Sequence, residues 1–399
     1  MSVNSLGQTP NASRLHIGIF GRRNHGKSSL INAITGRTAA LVSDFAGTTT
    51  DPVYQAMELY PIGPCVLMDT AGFDDNQGEL GAMRVKKTRE CLLKTDLALI
   101  VLSAQQTDLN EETAWIEEIQ KRNIPLIFVV NQTDLGEFTL TASLPAGVPV
   151  CFTNAVSGEG IALLKDQIVK SAPKNYELES ITGHLVKEGD SVLLVMPQDI
   201  QAPKGRLILP QVQVTRDLLD HHAVITSVST NQMELALSRM TQPPKLIITD
   251  SQVFPYVAER CPKESKLTSF SVLLARYKGD IEEFLKGAQA VETLTPKSRV
   301  LILEACSHNP LDGDIGRVKI PALLRKKVGQ ELSVEVRSGN DIPEDLTPYD
   351  LVVHCGGCMF NRAHVLSRVA RCREQGVPIT NYGILIAKLT GILEKVTVM

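Results

Sequence analysis

Aromatic residues make up only 5% of the chain, and tryptophan occurs once. Surfaces that stack successive nucleic-acid bases draw on aromatic rings, so this scarcity argues against such a platform. Neither sign of charge is in excess: Lys and Arg total 41, Asp and Glu 44, and the net charge is −3. Binding a phosphate backbone needs a basic face, which this balance does not favour. No apolar run approaches the roughly 18 residues of a membrane span. The first residues, MSVNSLGQTPNASRLH, are polar and lack the apolar stretch of a secretory signal. Internal repeats and low-complexity segments are absent as well. These absences lead to the expectation of a cytoplasmic protein with neither nucleic acid nor membrane as partner. What is there is ordinary for a globular chain: 43% hydrophobic and 21% charged residues. At about 150 residues per domain, 399 residues make two to three domains. Eight cysteines in a reducing compartment are core residues, metal ligands or reactive thiols rather than disulfides.

Short apolar runs alternate with helical patterns throughout. Strands are expected at His16–Phe20, Cys65–Met68, Leu97–Leu102, Leu126–Val130, Val192–Val195, Ala223–Val228, Lys245–Thr249, Arg299–Glu304, Leu332–Val336 and Asp350–His354. Most are Val-, Ile- and Leu-rich without alternation, as strands covered on both faces are. Helices are expected at Leu80–Lys94, Glu111–Arg122, Ile161–Ser171 and Asn361–Gln375. The alternation predicts an α/β fold with mostly parallel sheets. Breaks at Ser171-Ala172-Pro173-Lys174-Asn175 and Arg260-Cys261-Pro262-Lys263-Glu264-Ser265 divide it into three units, 14–173, 174–264 and 265–399.

Gly21-Arg22-Arg23-Asn24-His25-Gly26-Lys27-Ser28 reads G-x-x-x-x-G-K-S between an apolar strand and the helix that opens at Ser29. Gly21 and Gly26 let backbone amides converge on phosphate oxygens, and the helix N-terminus adds its positive end. Lys27 neutralises the β/γ-phosphates and Ser28 ligates Mg²⁺, with Ser29 beside them. Asp69-Thr70-Ala71-Gly72 ends a strand; its carboxylate holds the Mg²⁺ shell and the Gly72 amide reaches the γ-phosphate. Asn131-Gln132-Thr133-Asp134 ends another. Asp134 accepts from both N1–H and the amine of guanine, whereas adenine presents an acceptor at N1, so the element selects GTP. Each tetrapeptide alone could be a turn. Together, each after the carboxyl end of a strand, they define a GTPase.

Cys306-Ser307-His308 follows one apolar strand near the C-terminus, and His354-Cys355-Gly356-Gly357-Cys358 follows another. In a parallel sheet the two groups meet at one edge. The C-x-x-C spacing wraps one metal centre. Ligand chemistry alone leaves a structural zinc site and a 4Fe–4S cluster open, beside a redox dithiol at Cys355 and Cys358 and unliganded buried thiols.

These motifs carry a resemblance. The first unit resembles the potassium-activated tRNA-modification and ribosome-assembly GTPases, which implies Asn24 as a K⁺ ligand. Ala46-Gly47-Thr48-Thr49-Thr50-Asp51 resembles their switch, which implies Thr48 near the monovalent ion and Thr49 on Mg²⁺. Phe73 stands where Ras-like enzymes carry a catalytic Gln, so hydrolysis must use another group or a cation; Glu79 is a candidate to position water, against the equally weighted reading of an exposed charge on a switch. Asn154-Ala155-Val156 is similar to the base-contacting S-A-K loop, and Gln132 replaces the usual Lys of N-K-x-D. With the C-terminal C-x-H and H-C-x-x-C, the whole chain resembles the FeFe-hydrogenase maturation GTPases (HydF). The resemblance implies a scaffold that receives a diiron precursor, its cargo, from two radical-SAM maturases and delivers it to apo-hydrogenase. It implies a 4Fe–4S cluster on Cys306, Cys355 and Cys358, with His308 or His354 at an exchangeable fourth position. It also implies a homodimer, or a higher oligomer, through the middle unit. Two other classes remain open: a ribosome- or tRNA-associated GTPase with a structural zinc domain, and a GTP-regulated disulfide reductase.

The remaining cysteines, Cys65, Cys91, Cys151 and Cys372, read as packing, while Cys261 has no clear role. His221 and His222 suit a helix C-terminus. Arg317, Lys319, Arg325, Lys326 and Lys327, and the helix arginines Arg362, Arg368, Arg371 and Arg373, read as solvated faces or as a docking surface for an acidic partner or an anionic cluster.

Overall fold

A computed structural model of the protein describes residues 9–36, 53–72, 78–140, 143–174, 180–197, 207–305 and 314–398. It divides into two compact units, residues 1–176 and 177–399.

In the first unit the elements run β1 (Leu15–Gly21), α1 (Lys27–Thr35), β2 (Val53–Leu59), β3 (Gly63–Asp69), α2 (Gly78–Leu92), β4 (Leu97–Ser103), α3 (Thr113–Lys121), β5 (Leu126–Asn131), β6 (Val150–Phe152) and α4 (Ile161–Ser171). They form one six-stranded sheet in the order β2-β3-β1-β4-β5-β6. Every pair is parallel except β2 with β3. β1, β4 and β5 are buried along their whole length, which explains their unbroken apolar sequence. Each fully buried Val, Ile or Leu there contributes about 1.5–3 kcal/mol. β2 escapes the sequence pattern because it is an exposed edge carrying Tyr54, Gln55 and Glu58. The register sets Ile19 beside Asp69, Gly21 beside Val101 and Ser103 beside Asn131, so the ends of β1, β3, β4 and β5 share one edge.

The second unit continues with β7 (Ser191–Val195), α5 (Leu209–Asp220), β8 (Val224–Val228), α6 (Met233–Arg239), β9 (Leu246–Thr249), α7 (Phe254–Arg260), β10 (Lys266–Ser269), α8 (Phe270–Lys278) and α9 (Ile281–Gln289). It ends with β11 (Arg299–Glu304), α10 (Ile320–Val328), β12 (Ser333–Ser338), β13 (Leu351–His354), α11 (Arg362–Glu374), β14 (Ile379–Asn381) and α12 (Tyr382–Leu389). Two four-stranded sheets result, β10-β9-β7-β8 and β12-β11-β13-β14, both wholly parallel. Leu303 lies opposite His354 and His354 opposite Asn381, which aligns the carboxyl ends of β11, β13 and β14.

The division at 264/265 differs from this architecture. β10 and α8, assigned from sequence to the last unit, are built into the middle sheet. β10 pairs with β9 along its edge. Phe270, Leu273 and Leu274 of α8 join the core formed by Val192, Leu194, Leu246 and Ile248. A strand of four residues that begins with Lys266 offers too little pattern to assign it to a sheet. α8 also serves the other core, where Val272 and Ala275 pack with Phe284, Leu301 and Val352. Among the described residues no helix is long and apolar enough to cross a membrane.

Candidate functional site

The loop from β1 to α1 turns twice through left-handed backbone, at Asn24 (φ 62°) and Gly26 (φ 80°). Gly26 has a second constraint: a Cβ there would collide with the Asn131 side-chain amide. Lys27 is buried, and its Nζ donates to the main-chain oxygens of Gly21 (3.0 Å) and Arg22 (2.8 Å). The ammonium therefore lies within the loop's own curl, where phosphate oxygens would meet it. Ser28 Oγ donates to Asp69 Oδ2 across 2.6 Å, which brings the two expected Mg²⁺-shell groups together. Burial pushes the Asp69 carboxyl above its usual range, opposed by the Ser28 hydroxyl and by Lys27. A divalent cation in that position would restore the carboxylate. Thr70 Oγ1 donates to Ile19 O (2.6 Å), pinning the D-T-A-G element to β1. Gly72 is described beyond β3, and Ser29 lies in the first turn of α1.

Asn131 knots three loops. Its Nδ2 donates to His25 O (3.0 Å), and its Oδ1 accepts from Thr153 Oγ1 (3.2 Å) and Ala155 N (3.1 Å). Asn154 Oδ1 accepts from the amides of Val156 and Ser157, which orients its Nδ2 onto Asp134 Oδ1 (3.0 Å). Asp134 is exposed, and this contact fixes one side of its carboxylate. Gln132 answers its departure from Lys: its Nε2 donates to Asn24 O (3.0 Å) while its Oε1 accepts from Ser103 Oγ (2.8 Å). Gln132 thus ties the base loop to the phosphate loop without a positive charge. Thr48, Thr49 and Phe73 lie outside the described residues; Glu79 lies in α2, its side chain outside them.

In the second unit, β13 ends at His354 and the next residues turn sharply. Gly357 adopts φ 64°, and a Cβ there would press to 3.1 Å from Val365 Cγ2. Cys355 Sγ accepts from the amides of Ala305 (3.1 Å) and Gly357 (3.5 Å). Two backbone N–H groups aimed at one sulfur suit a metal thiolate. Burial meanwhile pushes the free Cys355 thiol up to about 11, so proton loss there needs a cation to replace the proton. Cys306 and His308 lie outside the described residues. Among the described residues no set of three His, Cys, Asp or Glu side chains forms a metal site.

His354 is 1% exposed and faces away from a ligand role: Nδ1 lies 2.6 Å from Cys355 O and Nε2 lies 3.2 Å from Arg368 Nη1. To ligate iron it would have to release one of these partners. Burial, with Arg368 beside it, lowers its pKa to about 3. The arginines of α11 do not form one solvated or docking face. Arg368, 3% exposed, also donates to Gly339 O and stacks 4.5 Å over the Phe360 ring. Arg362 reaches Tyr277 O (2.8 Å), and Arg373 pairs with Asp280 (2.9 Å). Arg317, from the other basic run, pairs with the buried Glu304. Arg368 and Arg317 are held by partners inside the fold while Arg373 stays exposed, a difference that a charge count along a helix does not register. Lys278, Asn381 and Glu112 carried no sequence signal because their partners lie far away along the chain.

The first unit is a P-loop GTPase by fold and by the convergence of its motifs at one sheet edge. A family model described as 50S ribosome-binding GTPase matches residues 16–132. Models described as hydrogen maturase F dimerization domain and hydrogen maturase F tetramerization domain match residues 181–279 and 282–399. The chain belongs to the hydrogen maturase F family, the hydrogenase maturation GTPases. The tRNA modification GTPase MnmE of Koribacter versatilis is 38% identical over 157 residues, 39% of this chain and 34% of that protein. That of Endomicrobium trichonymphae is 38% identical over 178 residues, 42% of this chain and 38% of that protein. The chain thus spans little more than a third of the length of these curated relatives. The G domain of the T. maritima FeoB iron transporter aligns with 25% identity over 40% of this chain and 98% of that one, at a TM-score of 0.29.

Proposed function

We propose that the protein is a GTP-hydrolysing scaffold that binds a 4Fe–4S cluster and assembles or transfers the diiron precursor of the FeFe-hydrogenase active site. The observation that carries this reading is the pair of amide donors on Cys355 Sγ, one of them from Ala305, the residue before Cys306. Cys306, Cys355 and Cys358 hold the cluster in this reading, with His308 favoured over His354 at the exchangeable position because both His354 ring nitrogens are engaged. A cluster bound by three thiolates supplies an iron open to exchange. The partners are two radical-SAM maturases and apo-hydrogenase, and the working form is a homodimer or higher oligomer in the cytoplasm.

In the GTPase unit, Lys27 neutralises the phosphates, Ser28, Thr49 and Asp69 serve Mg²⁺, Gly72 meets the γ-phosphate, and Asp134 selects guanine. Asn131, Asn154 and Ala155 hold the base loop, Asn24 and Thr48 attend K⁺, and Glu79 orients water. Positioning and charge neutralisation supply most of phosphoryl-transfer catalysis, so Lys27→Ala should abolish turnover. Anaerobic purification followed by metal analysis and EPR tests the cluster. A brown protein with a reducible 4Fe–4S signal, able to activate apo-hydrogenase, is expected. A colourless protein with stoichiometric zinc would replace this reading with a structural zinc site.

A further inference from the structure

The Cys355–Cys358 turn does not rest on its own sheet alone. It lies along one stripe of α8, the helix that follows the edge strand of the middle sheet. Ser271, Leu274 and Lys278 stand at i, i+3 and i+7 of that helix. Each meets a different part of the turn. Ser271 Oγ donates to Asn381 Oδ1 (2.9 Å), and Asn381 Nδ2 donates to Cys355 O (3.3 Å). Gly356 backs onto the helix, where a Cβ would lie 3.7 Å from Ser271 Oγ and 3.9 Å from Leu274 Cδ1. Lys278 Nζ donates to the main-chain oxygens of Gly357 (3.4 Å), Cys358 (3.1 Å) and Phe360 (2.8 Å). Arg362, just past the turn, reaches back to Tyr277 O (2.8 Å) and Gly279 O (3.3 Å) at the end of α8.

Lys278 is only 2% exposed. A buried ammonium is costly unless its N–H groups are matched, and here backbone carbonyls of the turn match them. The neighbouring stripe of α8, with Phe270, Leu273 and Tyr277, belongs to the middle-sheet core, and Cys358 packs against that same core. The dimerization-domain match ends at residue 279, one residue beyond Lys278.

We propose that Lys278 is a positioning residue for the metal ligands: from α8 it fixes the backbone of the Cys355–Cys358 turn and ties the packing of the dimerization segment to the cysteines. The proposal rests on the reading that Cys355 and Cys358 are cluster ligands. Its content is mechanical and electrostatic. The turn is held ready before metal arrives, and a fixed positive charge lies beside its carbonyls.

The test compares full-length wild type, Lys278→Met and Lys278→Arg in two states. In metal-free protein, amides of residues 356–361 should exchange about tenfold faster in Lys278→Met, with β11 and β13 unchanged. Lys278→Arg keeps the charge and should restore most of the protection. In iron-reconstituted protein, Lys278→Met should release iron to a chelator several-fold faster, by about the same factor. It should also shift the EPR g values. Unchanged exchange in 356–361 would overturn the proposal. So would an acceleration spread evenly over residues 207–398, which would make Lys278 an ordinary core residue. Wild type that takes up no iron would defeat the cluster reading instead, and the metal-free exchange comparison would still decide the role of Lys278.

Discussion

Arg22 of the phosphate loop is turned onto Glu112: Nε and Nη2 each donate to one carboxylate oxygen at 2.8 Å, and Glu112 is fully buried at the start of α3. Asp108 takes the same guanidinium at 2.7 Å. These acceptors hold Arg22 well above its ordinary pKa, the Glu112 hydrogen bonds foremost. Arg22 is therefore a brace of the loop rather than a phosphate ligand. Glu112→Ala should destabilise the GTPase unit by about 2–3 kcal/mol, since it removes two charge-assisted hydrogen bonds from a partly buried cation and leaves it on Asp108. Thermal unfolding measures this; an unchanged melting temperature would contradict the brace.

Gln132 should matter to nucleotide affinity through Asn24. Losing its bond to the Asn24 carbonyl loosens the tie between base loop and phosphate loop. At about 1 kcal/mol for a neutral hydrogen bond, Gln132→Ala should weaken GDP binding about fivefold. Gln132→Lys can reach the same carbonyl and should bind at least as tightly as wild type. Calorimetric titration with GDP separates the two variants, and equal affinities in all three proteins would remove the tether.

GTP turnover should be slow and faster in K⁺ than in Na⁺ at equal ionic strength. The ground is Asn24 in its left-handed corner and the apolar Phe73 where a water-orienting Gln would stand. Asn24→Ala should erase the difference between the salts while leaving the preference for GTP over ATP unchanged, as expected if Asp134 rather than Asn24 reads the base. Equal wild-type rates in the two salts would count against a monovalent-ion site.

Replacing Cys306, Cys355 or Cys358 with Ser should each remove most of the iron, because each thiolate is a charged ligand whose loss exposes one iron. His308→Ala should keep iron but change the EPR signal and its response to added imidazole. His354→Ala should act differently. It removes the acceptor for Arg368 and the ring against Cys355 O, so its first effect should be a lower melting temperature, by about 1–3 kcal/mol of lost stability. Full iron content in any of the three cysteine variants would sink that residue's assignment.

Light scattering of the full chain should give a dimer or a multiple of it. A variant with a charge in the segment matched by the dimerization model, such as Val224→Asp on the exposed edge strand β8, should shift that distribution toward monomer. A monodisperse monomer of wild type at high micromolar concentration would contradict the oligomer.

By itself the sequence determined the α/β class, because strands covered on both faces must be apolar along their whole length. It also determined the guanine nucleotide site, whose parts are short contiguous motifs at strand ends. The pairs Cys355/Cys358 and Gly356/Gly357 were legible for the same reason: a tight turn is local. Tertiary structure decided what depends on contacts between distant segments. It gave β10 and α8 to the middle sheet, although four residues of β10 carry almost no pattern. It turned His354 inward onto Arg368, and Arg22 onto Glu112, 90 residues apart along the chain. It brought Lys278 to carbonyls about 80 residues away. Backbone carbonyls are the same in every residue, so no side-chain motif announces that a distant lysine will bind them; only the folded chain brings the two together.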